Sequence, residues 1–197
     1  MTLGRLRIPR ISPRLGLALA LFLAAGAASA DAPARKVERF DVKTAGHNAG
    51  AARTIVMAPQ PVVRNVVTDF GRYESFITRF KAAKIVGKVG DKTDVYLQVP
   101  IMKGAVKIWA VVRFDPPKAE GSDEIIKGSL VKGNVKRLDA RWRIKRLDDQ
   151  RTELTLELLI LPDLPVPEGM RLSELRYAAY KAVSGTRDEA ERRASGS

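Results

Sequence analysis

Two stretches of the chain between residues 53 and 87 carry apolar side chains at helical spacing. The first consists of Val62, Val63, Val66, Val67 and Phe70, and the second of Tyr73, Phe76, Ile77 and Phe80. Residues at these intervals share one face of a helix, and such a face packs on a larger apolar surface. With Gly71 as the break between them, the pattern predicts two short amphipathic helices, preceded by a strand at 53–57.

From Lys81 onward the period of the pattern changes to two, which is typical of strands with one buried face. The predicted strands cover residues 85–89, 93–99, 105–114, 124–132, 137–147 and 151–161. Turn-forming residues at 90–92 and 148–150 separate neighbouring strands and favour hairpins. The sequence therefore predicts an antiparallel sheet whose inner face is apolar and whose outer face is polar.

The two ends of this region complete the predicted element order. A leading strand is expected at 37–42 and a turn at 46–51. The segment PDLPVP at 162–167 can continue neither a strand nor a helix, because proline lacks the backbone donor. A long helix is expected from Glu168 to about Arg193. One of its faces is formed by Leu172, Leu175, Ala179, Ala182, Val183 and Thr186. The prediction is one α+β domain that contains a sheet, two short helices and a long C-terminal helix.

The first thirty residues have the pattern of a secretory signal peptide. The positive region contains Arg5, Arg7, Arg10 and Arg14. An apolar core at 15–25 follows, and Ala28-Ser29-Ala30 fits a cleavage site. The core is shorter than the roughly 20 residues that a membrane-spanning helix needs. We therefore expect a soluble mature chain from about Asp31 in a bacterial periplasm, and an uncleaved membrane anchor is the alternative.

The chain is basic, with 35 lysines and arginines, 22 acidic residues and a net charge of +13, or +9 without the four signal arginines. A charge of this sign suits anionic partners, and export argues against nucleic acid. Six cations of the predicted strands should share the outer face of the sheet: Lys107, Arg113, Arg137, Arg141, Arg143 and Lys145. They predict either a docking surface for anionic membrane lipids or a solvated sheet face.

The chain has few of the side chains on which catalysis usually depends. It contains no cysteine and a single histidine, His47, in a glycine-rich stretch without an acidic neighbour. Metal binding is not predicted either, since Asp148-Asp149 has the pattern of a hairpin turn. Nucleophile, phosphate-loop and dinucleotide motifs are absent from the sequence, so no cofactor is expected. The candidate polar groups for chemistry on a bound substrate are Tyr96, Gln98, Tyr177 and Tyr180.

Two segments carry a resemblance to a known superfamily. The stretches TIVMAPQPVVRNVVTDFGRYESFI and DARWRIKRLDDQRTELTLELLILPDLPVP resemble the opening and the closing strands of START-like (SRPBCC) proteins. The closest likeness is to the branch of polyketide cyclases/dehydrases and coenzyme Q-binding proteins, and it extends from about Arg53 to Arg193. The resemblance implies a helix-grip fold, in which a curved antiparallel sheet wraps around the C-terminal helix and leaves a cavity. It specifies a fold rather than a function.

The resemblance also implies a pocket for a hydrophobic small molecule such as a lipid or a quinone. Small residues on the expected helix face would leave space beside the apolar strands: Ala178, Ala179, Ala182 and Gly185. The predicted lining residues are Ile108, Ala110, Trp142, Leu156, Leu158, Leu175, Ala179 and Ala182. Two alternatives stay open, a cyclase or dehydratase that uses the same cavity and an interaction module with a filled core. The expected divisions are a signal peptide (1–30), an N-terminal extension (31–50), the ligand-binding domain (51–193) and a tail (194–197).

Overall fold

The computed structural model describes residues 36–101, 104 and 106–196, so the predicted signal peptide lies outside the described residues. The strands are β1 Glu38–Thr44, β2 His47–Val56, β3 Ala82–Val89, β4 Lys92–Ile101, β5 Val106–Phe114, β6 Lys118–Glu120, β7 Asp123–Gly133, β8 Val135–Arg146 and β9 Thr152–Pro162. The α-helices are α1 Gln60–Val67, α2 Tyr73–Phe76 and α3 Glu168–Ser195. None of the helices described here has the length and apolar character that crossing a membrane requires.

The strands form one antiparallel sheet in the order β1-β2-β9-β8-β7-β5-β4-β3, with β6 paired to β7. Its register aligns apolar residues from strand to strand. Leu156 of β9 lies opposite Ala52 of β2 on one side and Trp142 of β8 on the other. Farther along the sheet, Leu97 of β4 lies opposite Ala110 of β5. Because the alternation stays in phase between neighbouring strands, one face of the sheet is apolar. These features confirm the predicted α+β class.

A cluster of aromatic rings attaches the short helices to the sheet. The ring of Phe70 stacks on Phe114 of β5 with 4.4 Å between centroids, and Tyr73 packs edge-on against Phe70 at 5.7 Å. Phe76 and Phe80 each add a ring contact to Tyr73. Stacked and edge-on rings gain attraction beyond the burial of their area. The cluster therefore fixes the region around α2 against one end of the inner sheet face.

Two glycines bring α3 very close to its neighbours. A Cβ atom added at Gly50 of β2 would lie 2.5 Å from the backbone nitrogen of Arg176 and 2.7 Å from the Cβ of Leu175. A Cβ at Gly185 would lie 2.1 Å from the carbonyl oxygen of Phe76. These distances are shorter than van der Waals contact, so only glycine permits the observed packing. They hold α3 directly against β2 and α2.

The structure differs from the predicted elements at three places. Residues 47–51 belong to β2, and the turn is limited to Ala45 and Gly46. The small residues of this stretch accommodate the crossing helix rather than a chain reversal. The second short helix ends at Phe76 because Ile77 has extended backbone angles, φ −105° and ψ 98°. The three-residue strand β6 has no counterpart among the predicted strands.

Candidate functional site

A cavity of about 140 Å³ lies between the inner face of the sheet and α3. Its wall is formed by alternate residues of β4, β5, β8 and β9, so the register that aligns the apolar rows also builds the cavity. An apolar cavity of similar size, about 150 Å³, accommodates benzene. Small-molecule pockets usually measure at least about 300 Å³. In this conformation the cavity therefore has room for one ring or a short chain.

One end of the cavity opens toward the segment that joins β9 to α3. A second hollow of about 260 Å³ adjoins the cavity there. The two spaces share Ile101, Ile108, Pro162 and Val166. Met170 also lines this end, and it is about half exposed. We use the term mouth for the end of the cavity bounded by Ile101, Pro162, Val166 and Met170.

The wall contains a tyrosine, Tyr73, and its hydroxyl has a hydrogen-bond partner. The hydroxyl of Tyr73 donates a hydrogen bond of 2.5 Å to the carbonyl oxygen of Val67. Burial raises the pKa of the Tyr73 phenol, so the group stays neutral. Tyr73 can therefore face an apolar ligand without leaving its hydroxyl unsatisfied.

Charged side chains reach the cavity from two elements. Arg79 follows α2, and its Nη2 donates to Glu174 of α3 at 3.1 Å and to the carbonyl oxygen of Pro100 at 3.0 Å. Arg171 also lines the cavity, and its Nη1 donates to the carbonyl oxygen of Asn48 at 3.0 Å. Among the described lining side chains, these two arginines and Glu174 are the charged ones. The cavity therefore combines an apolar wall with a charged group of three residues.

The structure brings seven of the eight predicted lining residues to the cavity wall. They are Ile108, Ala110, Trp142, Leu156, Leu158, Leu175 and Ala182. Ala179 is fully buried and does not line the cavity, because it packs into the core on another side of α3. Ala178 does line it, whereas Gly185 permits the contact with α2 and leaves no space there. That these side chains contact a ligand stays a prediction.

The polar residues singled out in the sequence do not line the cavity. Tyr96 stacks on Trp109, with 6.2 Å between ring centroids, and its strand neighbours place it on the outer face. His47 is exposed at the start of β2. The charged group of Arg79, Arg171 and Glu174 was not predicted. Part of it was detectable, because helical spacing places Arg171 and Glu174 on the face that also carries Ala178 and Ala182.

The six predicted surface cations alternate with the lining residues of β5 and β8 and so belong to the outer sheet face. Four of them pair with carboxylates: Arg113 with Asp94, Arg137 with Asp139, Arg141 with Glu120 and Glu157, and Arg143 with Asp123. The Arg113 pair is bidentate, with both bonds at 2.7 Å, and its hydrogen bonds lower the pKa of Asp94. Lys107 and Lys145 have no ion-pair partner among the described residues. The outer face is thus less cationic than its arginines suggest.

Metal binding has no support in the described part of the chain, where no three histidine or acidic side chains are placed to hold an ion. The charged residues at the cavity are two arginines and one carboxylate, a combination that cannot supply a metal with enough ligands. The arrangement can instead exclude water along an apolar wall and present two guanidinium groups to a bound molecule.

Comparison with known families gives one match, and it covers most of the domain. A family model described as polyketide cyclase/dehydrase and lipid transport matches residues 56–182. These residues extend from the end of β2 to Ala182 and so include most of the elements that form the cavity. A comparison with curated proteins found no match.

Similar folds occur among solved structures. A STAR-related lipid transfer protein fragment from Xanthomonas axonopodis has a TM-score of 0.67 at 12% identity, covering 78% of this chain and 93% of that chain. A START superfamily protein from Mycobacterium smegmatis has a TM-score of 0.57 at 21% identity, covering 74% and 96%. The Zhui aromatase/cyclase from a Streptomyces species has a TM-score of 0.58 at 18% identity, covering 80% and 96%. At these identities the likeness concerns the fold alone.

Proposed function

Because the chain belongs to the polyketide cyclase/dehydrase and lipid transport family, we propose that it binds a hydrophobic small molecule, such as a lipid or a quinone. The ligand would lie between the sheet and α3. The observation that carries this proposal is the cavity wall, which is apolar except for three charged residues, Trp142, and Tyr73, whose hydroxyl is bonded to Val67. Apolar walls with few polar groups are the usual surroundings of such ligands.

A binding role explains the cavity better than catalysis does. A cyclase or dehydratase must bring an acid or a base within hydrogen-bonding reach of the reacting atoms. The Tyr73 hydroxyl is engaged with Val67 and has a raised pKa, which makes it a poor acid or base. Arg79 and Glu174 are paired with each other. The family nevertheless includes cyclases, so enzymatic activity on a substrate in the same cavity is the alternative.

The size of the cavity implies that it widens when a ligand binds. A volume of about 140 Å³ is below that of ordinary ligand pockets, whereas the adjoining hollow offers about 260 Å³ more. The glycine contacts hold α3 against β2 and α2. Widening is therefore expected at the mouth, where the segment 163–167 lacks helix and strand structure.

Export and membrane contact extend the proposal beyond the cavity. The N-terminal pattern supports secretion into a bacterial periplasm, where the carrier would act between membranes. Docking to an anionic membrane would depend mainly on Lys107 and Lys145, since the arginines of that face are paired. Sedimentation with anionic and neutral vesicles at low and high salt tests the docking. Equal binding to both vesicle types would exclude it.

The central test is native mass spectrometry of the full chain expressed in a bacterial host and purified from the periplasmic fraction. We expect a mature chain that begins near Asp31 and carries one hydrophobic molecule, which organic extraction then identifies. Recovery from the cytoplasm with residues 1–30 intact would contradict export. A protein that is empty and takes up neither lipid nor quinone afterwards would contradict the binding role.

A further inference from the structure

We propose that the ligand is an amphiphile with a carboxylate headgroup, which Arg79 binds at the end of the cavity that also carries Arg171, while the hydrocarbon chain lies along the apolar wall. This inference rests on the proposed function and specifies its ligand class. It starts from the placement of two arginines on a cavity wall where Glu174 is the one other charged residue among the described lining residues. A neutral apolar ligand would need no such groups.

Both arginines have contacts in addition to those with their carboxylate partners. The side chain of Arg79 is 15% exposed, donates to the carbonyl oxygen of Pro100 and lies 4.9 Å from the ring centroid of Tyr177. The side chain of Arg171 is 12% exposed and donates to the carbonyl oxygen of Asn48. Backbone and ring contacts would persist if the acidic partners moved away. The two guanidinium groups are thus fixed, largely desolvated cations.

The acidic partners are much less restrained. Glu174 is 37% exposed, and Glu168, which lies 3.5 Å from Arg171, is 59% exposed. A carboxylate that already contacts water loses little when its side chain turns fully into solvent. An incoming ligand carboxylate can therefore take the place of Glu174 on Arg79. The planar guanidinium offers paired donors that match a carboxylate, and such charge-assisted bonds are strong in a partly dry site.

The position of the charged group also sets the orientation of the ligand. Arg171 directly follows Met170 at the mouth, and Arg79 bonds to Pro100, the neighbour of Ile101 at the same end. A headgroup bound there places the chain toward the apolar wall around Trp142. The ligand would enter chain-first, with its carboxylate at the mouth and near water.

The fluorescence of Trp142 is the signal that reports binding. The chain has two tryptophans, and Trp109 does not line the cavity, so a Trp109→Phe background leaves Trp142 as the sole reporter. The probes are decanoic acid and 1-decanol, which differ only in the headgroup. At neutral pH we expect the acid to bind about tenfold more tightly than the alcohol. A charge-assisted hydrogen bond to the carboxylate provides an affinity difference of this size.

Two substitutions at the same ion pair should act in opposite directions. Arg79→Gln should remove the preference for the acid over 1-decanol. Glu174→Gln should tighten binding of the acid several-fold relative to the alcohol, because it removes the competing carboxylate. Arg176→Gln is the matched control, since Arg176 lies on the same helix, pairs with Asp41 and does not line the cavity. Circular dichroism checks that each variant is folded.

The outcomes separate this inference from the proposed function. Equal binding of acid and alcohol, with no response to Glu174→Gln, would overturn the carboxylate assignment and leave hydrophobic binding standing. Weaker binding of the acid to Glu174→Gln would overturn it as well, because Glu174 would then assist the headgroup rather than compete with it. Binding of neither probe, nor of a lipid or quinone, would contradict the proposed function itself.

Discussion

The Nη2 atom of Arg193 lies 2.6 Å from the Oδ2 atom of Asp69 and joins the end of α3 to the turn that follows α1. The same guanidinium donates through Nε to Glu189 at 2.7 Å. Arg193 and Asp69 are each only 26% exposed, and Glu189 is 8% exposed. Ion pairs with this degree of burial are screened less by solvent than pairs at the surface.

Asp69→Asn should therefore destabilise the fold. We expect the free energy of unfolding to fall by about 1–2 kcal/mol, because a hydrogen bond to a charged group is lost and Arg193 loses a counter-charge. Urea denaturation measures the change. Asp149→Asn, which removes an exposed ion pair with Arg146, is the control and should have almost no effect. Equal losses in the two variants would show that the Arg193 contact has no special role.

The stability should also depend on pH through Glu189. Burial alone would raise the pKa of this carboxyl, but hydrogen bonds from Arg192 and Arg193 outweigh it, and the pKa lies below the ordinary value of 4.5. A pKa lowered by folding contributes stability that is fully present above the unfolded value and is lost as the pH falls through the folded value. The advantage of the wild type over Glu189→Gln should thus be constant near neutral pH and shrink below about pH 4.5. Urea midpoints between pH 7 and pH 3 that stay parallel for the two proteins would contradict this.

Gly185→Ala should reverse the usual effect of this substitution in a helix. In a helix interior alanine is normally favoured over glycine by about 1 kcal/mol. At Gly185 the new Cβ would overlap with the carbonyl oxygen of Phe76, and we expect a net loss of about 1–3 kcal/mol. Gly169→Ala in the same helix is the control, since nothing lies within 4 Å of its Cβ position. Thermal unfolding measures both, and a stabilised Gly185→Ala would refute the close contact.

Filling the cavity should weaken ligand binding without unfolding the protein. Ala178 lines the cavity and is only partly buried, so Ala178→Trp can direct its ring into the open space. We expect the affinity for decanoic acid to fall at least about tenfold, which corresponds to 1.4 kcal/mol. Ser173→Trp, at an exposed position of α3 that does not line the cavity, should bind the probe normally. Undiminished uptake by Ala178→Trp would place the ligand elsewhere.

Most of the cavity wall could be predicted from the sequence because strand alternation has a single period. Once Trp142 and Leu156 were assigned to inner faces, every second residue on β8 and β9 followed. The long helix is less constrained, since its wide apolar stripe does not distinguish the cavity side from the core side. Ala179 and Ala178 differ by one position in the sequence, yet only Ala178 reaches the cavity.

Two further features could not be derived, for different physical reasons. A run of glycine and alanine is compatible with a turn and equally with a strand that a helix crosses closely. The sequence therefore predicts a turn at Gly50, whereas the residue lies within β2. The contact between Arg79 and Glu174 joins residues 95 positions apart. Such a pair depends on how the segment after α2 packs beside α3. The hydrophobic periodicity of the sequence contains no information on that packing.

The approach of α3 to Gly50 has a consequence for engineering. At Gly50 the backbone of β2 lies directly against the backbone of α3, so no side chain can adjust if one of the two elements is replaced. Strand β2 and helix α3 must therefore be replaced together. A chimera that contains the helix of a relative also needs the strand of that relative. Leu97 and Val99 of β4 line the cavity on the opposite wall without a backbone contact of this kind, and are the positions at which the binding space can be reshaped.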